Sequence, residues 1–405
     1  MVDKFQISEK VKQIPEALSI YFNQLVYSEK RRGIDIITLS LGEAFFDIPQ
    51  LPFESVDFVK GYHYSDSLGL PELREKILDY YNTGYDCHIG SIKNIMISSG
   101  SKIIIYIAMA TVLNEGDEVL IHEPAWLSYQ EQVRLAGGVP VFIPYECDLR
   151  ECEKYITAKT RMIVLNNPNN PAGFVYPDDT LREIYARCRE KGIYILMDEA
   201  YSDFVLDRKE FVSVANIAED LTGVMVVNSL SKNLGMSGWR IGYIIAEETL
   251  IGQMLKLNQH LVTCAPTILQ QYLAYYFDDI CRITAPQIEE TVRKRNRIIG
   301  YMDTIGLEYL PGKATFYIFV KVDGIQASTL DFCLYLLFKY GIATVPGGAY
   351  GRSTDRFIRV GIGAESEERI CYALDTIKMV IKEQLTDSAY VRKKLEKNGF
   401  YYFDE

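Results

Sequence analysis

The segment SLSKNLGMSGWRIG, residues 229–242, places two serines before a lysine, then a glycine-rich turn, then an arginine eight positions after the lysine. It directly follows VMVVN, residues 224–228, a β-branched run typical of a buried strand. Open α/β sheets bind ligands beyond the ends of such strands, where small and cationic side chains are useful. The segment therefore predicts a ligand site at the edge of a sheet.

Composition narrows the class of protein. The chain has 405 residues, of which 48% are hydrophobic and 24% charged, as in soluble globular proteins. No apolar run approaches the ~20 residues that cross a bilayer, and the N-terminus MVDKFQISEK lacks the plan of a signal peptide. We therefore expect a cytoplasmic protein with no membrane partner.

The distribution of charge and of metal-binding residues excludes two further classes of partner. A formal net charge of −11, with no strongly basic block, argues against a nucleic-acid partner. The eight cysteines and four histidines show no spacing typical of metal ligands, so we expect reduced thiols and no metal site.

Seven short apolar runs predict the core of a large α/β domain. They alternate with segments of helical periodicity, a pattern that indicates a mostly parallel sheet with helices on both faces. The runs begin at residues 94, 118, 139, 161, 193, 224 and 240.

The pattern changes after this region. Residues 285–306 predict one long amphipathic helix, and a strand-helix-strand-helix unit follows. The first forty-odd residues contain no complete sheet unit. We therefore predict an N-terminal arm and part of a small domain over residues 1–50, a large domain over 51–285, and a smaller α/β C-terminal domain over 286–405.

The lysine segment resembles a known motif. An amine can close a Schiff base on the aldehyde of pyridoxal 5′-phosphate (PLP), while hydroxyl and guanidinium groups bind its phosphate. The order S-x-S-K-x-x-x-x-x-G-x-R-x-G resembles that of the class I/II aminotransferase family of fold-type I PLP enzymes, and the match covers Ser229, Ser231, Lys232, Gly238, Arg240 and Gly242. The resemblance implies PLP as cofactor, bound by Lys232, and the fold-type I PLP-transferase architecture with a seven-stranded sheet.

Two motifs after other strands extend the resemblance. In MDEAY, the resemblance implies that Asp198 pairs with the pyridine nitrogen and that Tyr201 bonds the phenolic oxygen of PLP; a helix-capping carboxylate is the alternative for Asp198. In NNPNNPAGFVY, residues 166–176, Asn170 matches the family asparagine that contacts the same oxygen, although a plain loop also explains this composition. Ala172 replaces the family's hydroxyl residue.

Two further motifs match the phosphate and ring contacts of the family. SSGSKIII, residues 98–105, leaves a strand and opens a helix, whose free N–H groups form an anion site, although such a start is often only a cap. The resemblance assigns Gly100, Ser101 and Lys102 to the phosphate, and Trp126 of HEPAWLSY to stacking on the pyridine ring; core filling is the alternative for Trp126.

The remaining matches concern the substrate and a second subunit. Arg359 in RFIRVGI resembles the arginine that grips the substrate α-carboxylate, and Gly42 in LSLGEAFFD resembles a glycine whose backbone meets the same carboxylate. Asn170 also belongs to this substrate-binding set. In YSDSLGLPELR, the resemblance implies that Tyr64 reaches the phosphate of a neighbouring subunit, which predicts a homodimer with shared active sites.

We predict an aminotransferase that moves an amino group between an α-amino acid and a 2-oxo acid. A PLP-dependent lyase, decarboxylase or oxidase on the same scaffold is the alternative, because Ala44, Phe45 and Ala172 depart from the family pattern. An aminotransferase-like regulator is set aside, since no basic winged helix precedes the domain.

Overall fold

The computed structural model describes residues 6–402, apart from the side chain of Ser55. A seven-stranded sheet forms its centre, in the spatial order β2-β8-β7-β6-β5-β3-β4. Only β8 runs antiparallel to its neighbours. The strands are β2 (Ile95–Ser98), β3 (Glu118–His122), β4 (Val139–Ile143), β5 (Thr160–Asn166), β6 (Tyr194–Asp198), β7 (Val224–Ser229) and β8 (Gly242–Ala246).

Each strand of this sheet coincides with one of the seven predicted apolar runs, and the predicted fold class is confirmed. The central strands β6 and β7 are buried almost throughout because helices cover both faces of the sheet. One face packs on α4 (Pro71–Gly84), α7 (Asp178–Lys191) and the start of α10, and the other on α5 (Ser101–Val112), α6 (Ser128–Leu135) and α9 (Glu248–Leu261).

The parallel strands end at one edge of the sheet. Asn166 at the end of β5 is the register partner of Asp198 at the end of β6, and Ser229 ends the next strand, β7. Loops that follow these strands therefore meet at one place. The lysine segment begins there.

Helix α10 (Thr267–Ile305) is longer than predicted. The predicted helix over 285–306 is only its second half, and the helix continues through Pro286. Proline usually interrupts a helix, but here a buried stripe that includes Ile280, Thr284 and Ile288 extends across it, so packing holds both halves in line. The predicted boundary between residues 285 and 286 thus falls inside α10, and the three-part division remains a proposal.

A smaller unit packs beside the large sheet. It contains a three-stranded antiparallel sheet, β11-β12-β9, and a parallel pair, β1-β10. The strands are β1 (Ile37–Thr38), β9 (Tyr317–Lys321), β10 (Ile342–Ala343), β11 (Val345–Pro346) and β12 (Phe357–Gly361). The helices are α2 (Leu18–Arg31), α11 (Thr329–Tyr340), α12 (Glu367–Glu383) and α13 (Ser388–Asn398), with single turns α1 (Glu9–Lys12), α3 (Phe58–Gly61) and α8 (Val214–Ile217) elsewhere.

The N-terminal helix α2 belongs to the core of the smaller unit. Its buried Tyr21, Phe22 and Leu25 share one apolar cluster with residues of α11 and α12. This packing holds the residues that follow α2, including Gly42, over the end of the large sheet. Across residues 6–402, no helix combines the length and the apolar character that crossing a bilayer demands.

Candidate active site

A cavity of about 280 Å³ lies where the large sheet meets the smaller unit. All the predicted site residues except Gly100 and Tyr64 line it. They are Gly42, Ser101, Lys102, Trp126, Asn170, Asp198, Tyr201, Ser229, Ser231, Lys232, Arg240 and Arg359. Segments separated by more than 300 positions in the chain thus converge on one space.

Lys232 follows β7 and extends its amine into this cavity. Its Nζ donates a hydrogen bond to the carbonyl oxygen of Gly42, at 2.5 Å. Burial of the amine lowers the pKa of Lys232 to about 8; Glu43 and Asp198 oppose this effect, and Arg359 and Arg240 add to it. About a tenth of the amine is therefore neutral, and nucleophilic, at pH 7.

Asp198 ends β6 and is buried. The Tyr129 hydroxyl donates to its Oδ2 at 2.6 Å, and the backbone N–H of Ala200 donates to Oδ1 at 3.0 Å. Burial raises the pKa of Asp198, while these two hydrogen bonds lower it. The residues after Asp198 form a turn instead of a regular helix, so capping a helix is not its role.

Arg359 on β12 is 4% exposed, and no described carboxylate forms an ion pair with it. Its Nη2 donates to the carbonyl oxygen of Ser40 at 2.6 Å, and its Nη1 donates to Asn170 Oδ1 at 3.3 Å. The Nε group has no partner. Because a buried guanidinium without a counter-ion is costly, this arrangement suits an anionic ligand.

Aromatic hydroxyl groups complete this side of the cavity. The Tyr201 and Tyr317 hydroxyls lie 2.9 Å apart, and the Arg359 guanidinium lies 4.6 Å from the centre of the Tyr317 ring. Tyr201, Tyr317 and Arg359 are all buried. The tyrosine pair thus links the turn after β6 to β9, the strand that pairs with β12 in the smaller unit.

The start of α5 forms a cradle beside Arg240. Gly100 precedes this helix with φ +90°, and a Cβ there would lie 2.6 Å from Arg240 Nη2. Arg240 Nη1 donates to the Ser237 carbonyl oxygen at 2.8 Å and lies 3.5 Å from Ser231 Oγ. Free N–H groups, hydroxyls and a guanidinium are therefore gathered at one helix start, and Gly100 adjoins the cavity without being part of its wall.

Lys102, the second residue of α5, and Trp126 line the same cavity. The Lys102 Nζ lies 5.1 Å from the centre of the Trp126 ring, and burial lowers the pKa of Lys102, with the positive charge of Arg240 as a second cause. The Trp126 ring meets Tyr129 edge to face, with ring centres 5.2 Å apart. The half-buried indole therefore lies at the cavity wall and also packs against the core beneath it.

Tyr64 lies outside the cavity. It follows α3 and is 86% exposed in the single chain. Its predicted contact with the phosphate site of a second subunit stays a prediction.

Sequence reasoning missed several residues that line the cavity or support its lining. Tyr129 holds Asp198, and its only local signal was a position three residues after Trp126, at the start of α6. Tyr317 was hidden in an ordinary strand pattern, and Ser19 with Asn23 of α2 line the cavity from a helix that carried no motif.

Comparison with known proteins places these features in a family. The sequence model described as "Aminotransferase class I and II" matches residues 48–377 of this chain. An aspartate aminotransferase of Pyrococcus abyssi is 30% identical over 362 residues, which cover 86% of this chain and 92% of the relative. "Aromatic-amino-acid aminotransferase 2" of Thermococcus litoralis is 32% identical over 367 residues, which cover 87% of this chain and 94% of the relative.

A solved aminotransferase structure has the same fold as this chain. The aspartate aminotransferase from Thermus thermophilus with maleate matches with a TM-score of 0.84 and 27% identity, over 93% of this chain and all of that one. The family model alone spans well over half of the chain. The chain therefore belongs to the class I and II family of PLP-dependent aminotransferases.

Proposed function

We propose that this aminotransferase binds PLP covalently through Lys232 and moves the amino group of an α-amino acid to a 2-oxo acid in the cavity described above. One observation carries the proposal. A lysine amine with a pKa of about 8, a buried carboxylate at Asp198 and a buried, unpaired guanidinium at Arg359 line the same small space.

The cradle at α5 fits a phosphate group. A side chain at Gly100 would collide with Arg240, and a Cβ at Gly242 would lie 2.5 Å from the backbone nitrogen of Ser101. Glycine at both positions therefore lets an anion approach backbone N–H groups and the Arg240 guanidinium. Ser229, Ser231 and Lys102 would add their polar groups from the cavity wall.

Asp198 would bind the pyridine nitrogen. A carboxylate beside that nitrogen favours its protonated form, and the Tyr129 hydrogen bond opposes the rise in the pKa of Asp198 that burial causes. Asn170 and Tyr201 would contact the phenolic oxygen, and Trp126 would lie against the ring. When bound, PLP withdraws electrons from the substrate Cα and so weakens its C–H bond.

Arg359 would orient the substrate and Lys232 would move the proton. The guanidinium can exchange its present carbonyl and amide acceptors for the α-carboxylate, with the backbone of Gly42 beside it. The Lys232 amine, once free, is poised by its lowered pKa to take the proton from the substrate Cα and return it.

A homodimer would complete the site. Exposed apolar side chains precede Tyr64 in the chain at Phe58, Val59 and Tyr62, and Tyr275 is exposed on α10, the helix against which α3 packs. Large apolar side chains that a single chain leaves exposed are typical of an interface. We propose that a second copy covers them and that Tyr64 reaches the partner's phosphate site.

Hybrid dimers test the shared site. Tyr64→Ala and Lys232→Ala homodimers should each be inactive, whereas subunit exchange should restore about a quarter of the wild-type activity, since a hybrid keeps one complete site. Demonstrated exchange without any recovery would exclude the crossing of Tyr64.

A reaction with donor alone tests the function. The PLP-loaded protein, given an amino acid and no acceptor, should release one equivalent of 2-oxo acid per site and then stop, with the amino group retained on the cofactor; a 2-oxo acid should reset it. Lys232→Ala should give no such release and no borohydride-stable link to PLP. Continuous ammonia release or oxygen uptake would instead identify a lyase or an oxidase.

A further inference from the structure

A buried hydrogen-bond network adjoins the residues of the catalytic cavity without lining it. Asn228 Nδ2 donates to Ser202 Oγ at 3.2 Å and to the Tyr81 hydroxyl at 2.9 Å. The Tyr81 hydroxyl donates to Glu199 Oε2 at 3.2 Å, and Asn233 Nδ2 donates to the same Ser202 Oγ at 2.9 Å. Four of these side chains, which we call the support network, are buried and absent from the cavity wall: Glu199, Ser202, Asn228 and Asn233.

Each residue of the support network is the chain neighbour of a residue that lines the cavity. The four pairs are Asp198–Glu199, Tyr201–Ser202, Asn228–Ser229 and Lys232–Asn233. Hydrogen bonds that fix one member of such a pair also restrict the backbone that the two members share. The network therefore limits the movement of residues that it does not touch.

Asn233 makes the most direct of these connections. Its Nδ2 donates to Ser202 Oγ and also to the Tyr80 hydroxyl, at 3.1 Å. The segment that follows Lys232 is thus bonded to the turn that follows Tyr201. In the cavity itself, the Lys232 Nζ lies 6.0 Å from the centre of the Tyr201 ring, so the Asn233–Ser202 bond helps to set the spacing of these two groups.

Ser202 connects the network to the helix side of the sheet and to the surface. The Tyr85 hydroxyl, just after α4, lies 2.7 Å from both Ser202 Oγ and Asp203 Oδ1. Asp203 in turn pairs with Arg208 at 3.0 Å. Ser202 and Asn233 are 0% and 2% exposed, so water cannot easily replace a bond that is lost between them.

We propose that Asn233 is a positioning residue for Lys232 and that, through Ser202, it holds the lysine where its amine reaches both the cofactor and the substrate Cα. This inference rests on the proposed function of Lys232. Proton transfer depends steeply on the position of the base. Binding of the substrate carboxylate by Arg359 does not, so loss of the bond should lower the rate of the reaction more than it alters the affinity for the donor.

The first experiment compares two asparagine variants in the donor-alone reaction. Asn233→Ala should lower the maximal rate at least about tenfold, while the donor concentration that gives half of this rate changes less than about twofold. Asn82→Ala is the matched control. It removes an amide on α4 that makes two hydrogen bonds with the backbone of Ile89, at 2.9 and 3.1 Å, outside the cavity and the support network.

Denaturant unfolding separates positioning from general stability. Both variants should lose stability, but only Asn233→Ala should lose the rate. A normal rate in a destabilised Asn233→Ala would overturn the inference and leave the proposed function intact. Absence of 2-oxo acid release from the wild-type protein would instead overturn the proposed function.

A second readout uses protein stripped of cofactor. Asn233→Ala should capture PLP at least about fivefold more slowly than the wild type, because the amine is held less firmly. Inorganic phosphate should inhibit this capture with an unchanged inhibition constant, since Asn233 touches neither Arg240 nor the start of α5. An inhibition constant that weakens as much as the capture rate would show general disorder of the site and would refute a specific role toward Lys232.

Ser202→Ala removes the same contact from its other side and decides the question if Asn233→Ala does not fold. It should slow the donor-alone reaction at least as much, because Ser202 also accepts from Asn228. The double variant should be no slower than the slower single variant if the two residues act through one contact. Losses that multiply in the double variant would contradict the inference.

Discussion

Replacing Tyr129 by phenylalanine removes one hydroxyl and leaves the ring against Trp126. The lost group donates to Asp198 Oδ2 at 2.6 Å, and both side chains are buried, so water cannot replace it easily. The backbone N–H of Ala200 would be the remaining donor to the carboxylate. The pKa of Asp198 should therefore rise further, because burial already raises it and one opposing hydrogen bond is gone.

The expected loss follows from the strength of that bond. A hydrogen bond to a charged group contributes about 1.5–3 kcal/mol. If the ionised carboxylate is needed at the proton transfer from Cα, the rate of the donor-alone reaction should fall about ten- to hundredfold. The loss should grow as the pH is lowered, since a higher pH restores the carboxylate.

The assay is a stopped-flow measurement of the donor-alone reaction from pH 6 to pH 9, with bound PLP quantified for each sample. Tyr176→Phe is the matched control, because this buried hydroxyl bonds His122 at 2.8 Å and does not touch Asp198. Rates for Tyr129→Phe that equal the wild type, or that fall equally at every pH, would refute the role of this hydrogen bond.

Three other predictions concern the pKa values and the cradle. The pKa of Lys232 is about 8, and only the neutral amine attacks PLP. The rate at which protein stripped of cofactor captures PLP should therefore rise about tenfold for each unit that the pH is raised toward 8 and level off above that value; a flat profile would contradict this. Burial raises the pKa of Glu199 from 4.5 to about 8, so between these two pH values the folded protein keeps a proton that the unfolded chain loses. The free energy of unfolding should therefore fall by about 1.4 kcal/mol for each unit that the pH rises through this window. Denaturant unfolding of Glu199→Gln should show that this slope is gone. Gly242→Ala would place a Cβ 2.5 Å from the Ser101 nitrogen and should weaken PLP binding at least tenfold in an equilibrium titration, whereas Gly252→Ala, with open space around it, should not.

The sequence alone determined the features that depend on neighbouring residues. The lysine segment carries its serines, glycines and arginine within fourteen positions, so its chemistry could be recognised before any fold was known. The seven strands were predictable because a buried parallel strand needs a continuous apolar run. Asp198 and Ser229 each end such a strand and Asn170 lies in the loop that follows another, which predicts that they meet at one edge of the sheet.

Only the tertiary structure decided the contacts between distant segments. The Tyr129–Asp198 bond joins positions 69 residues apart, and the Tyr201–Tyr317 pair joins positions 116 apart, so no local pattern signals them. Helix α10 continues through Pro286 because buried residues before and after the proline pack against the rest of the protein, and this packing outweighs the tendency of proline to interrupt a helix.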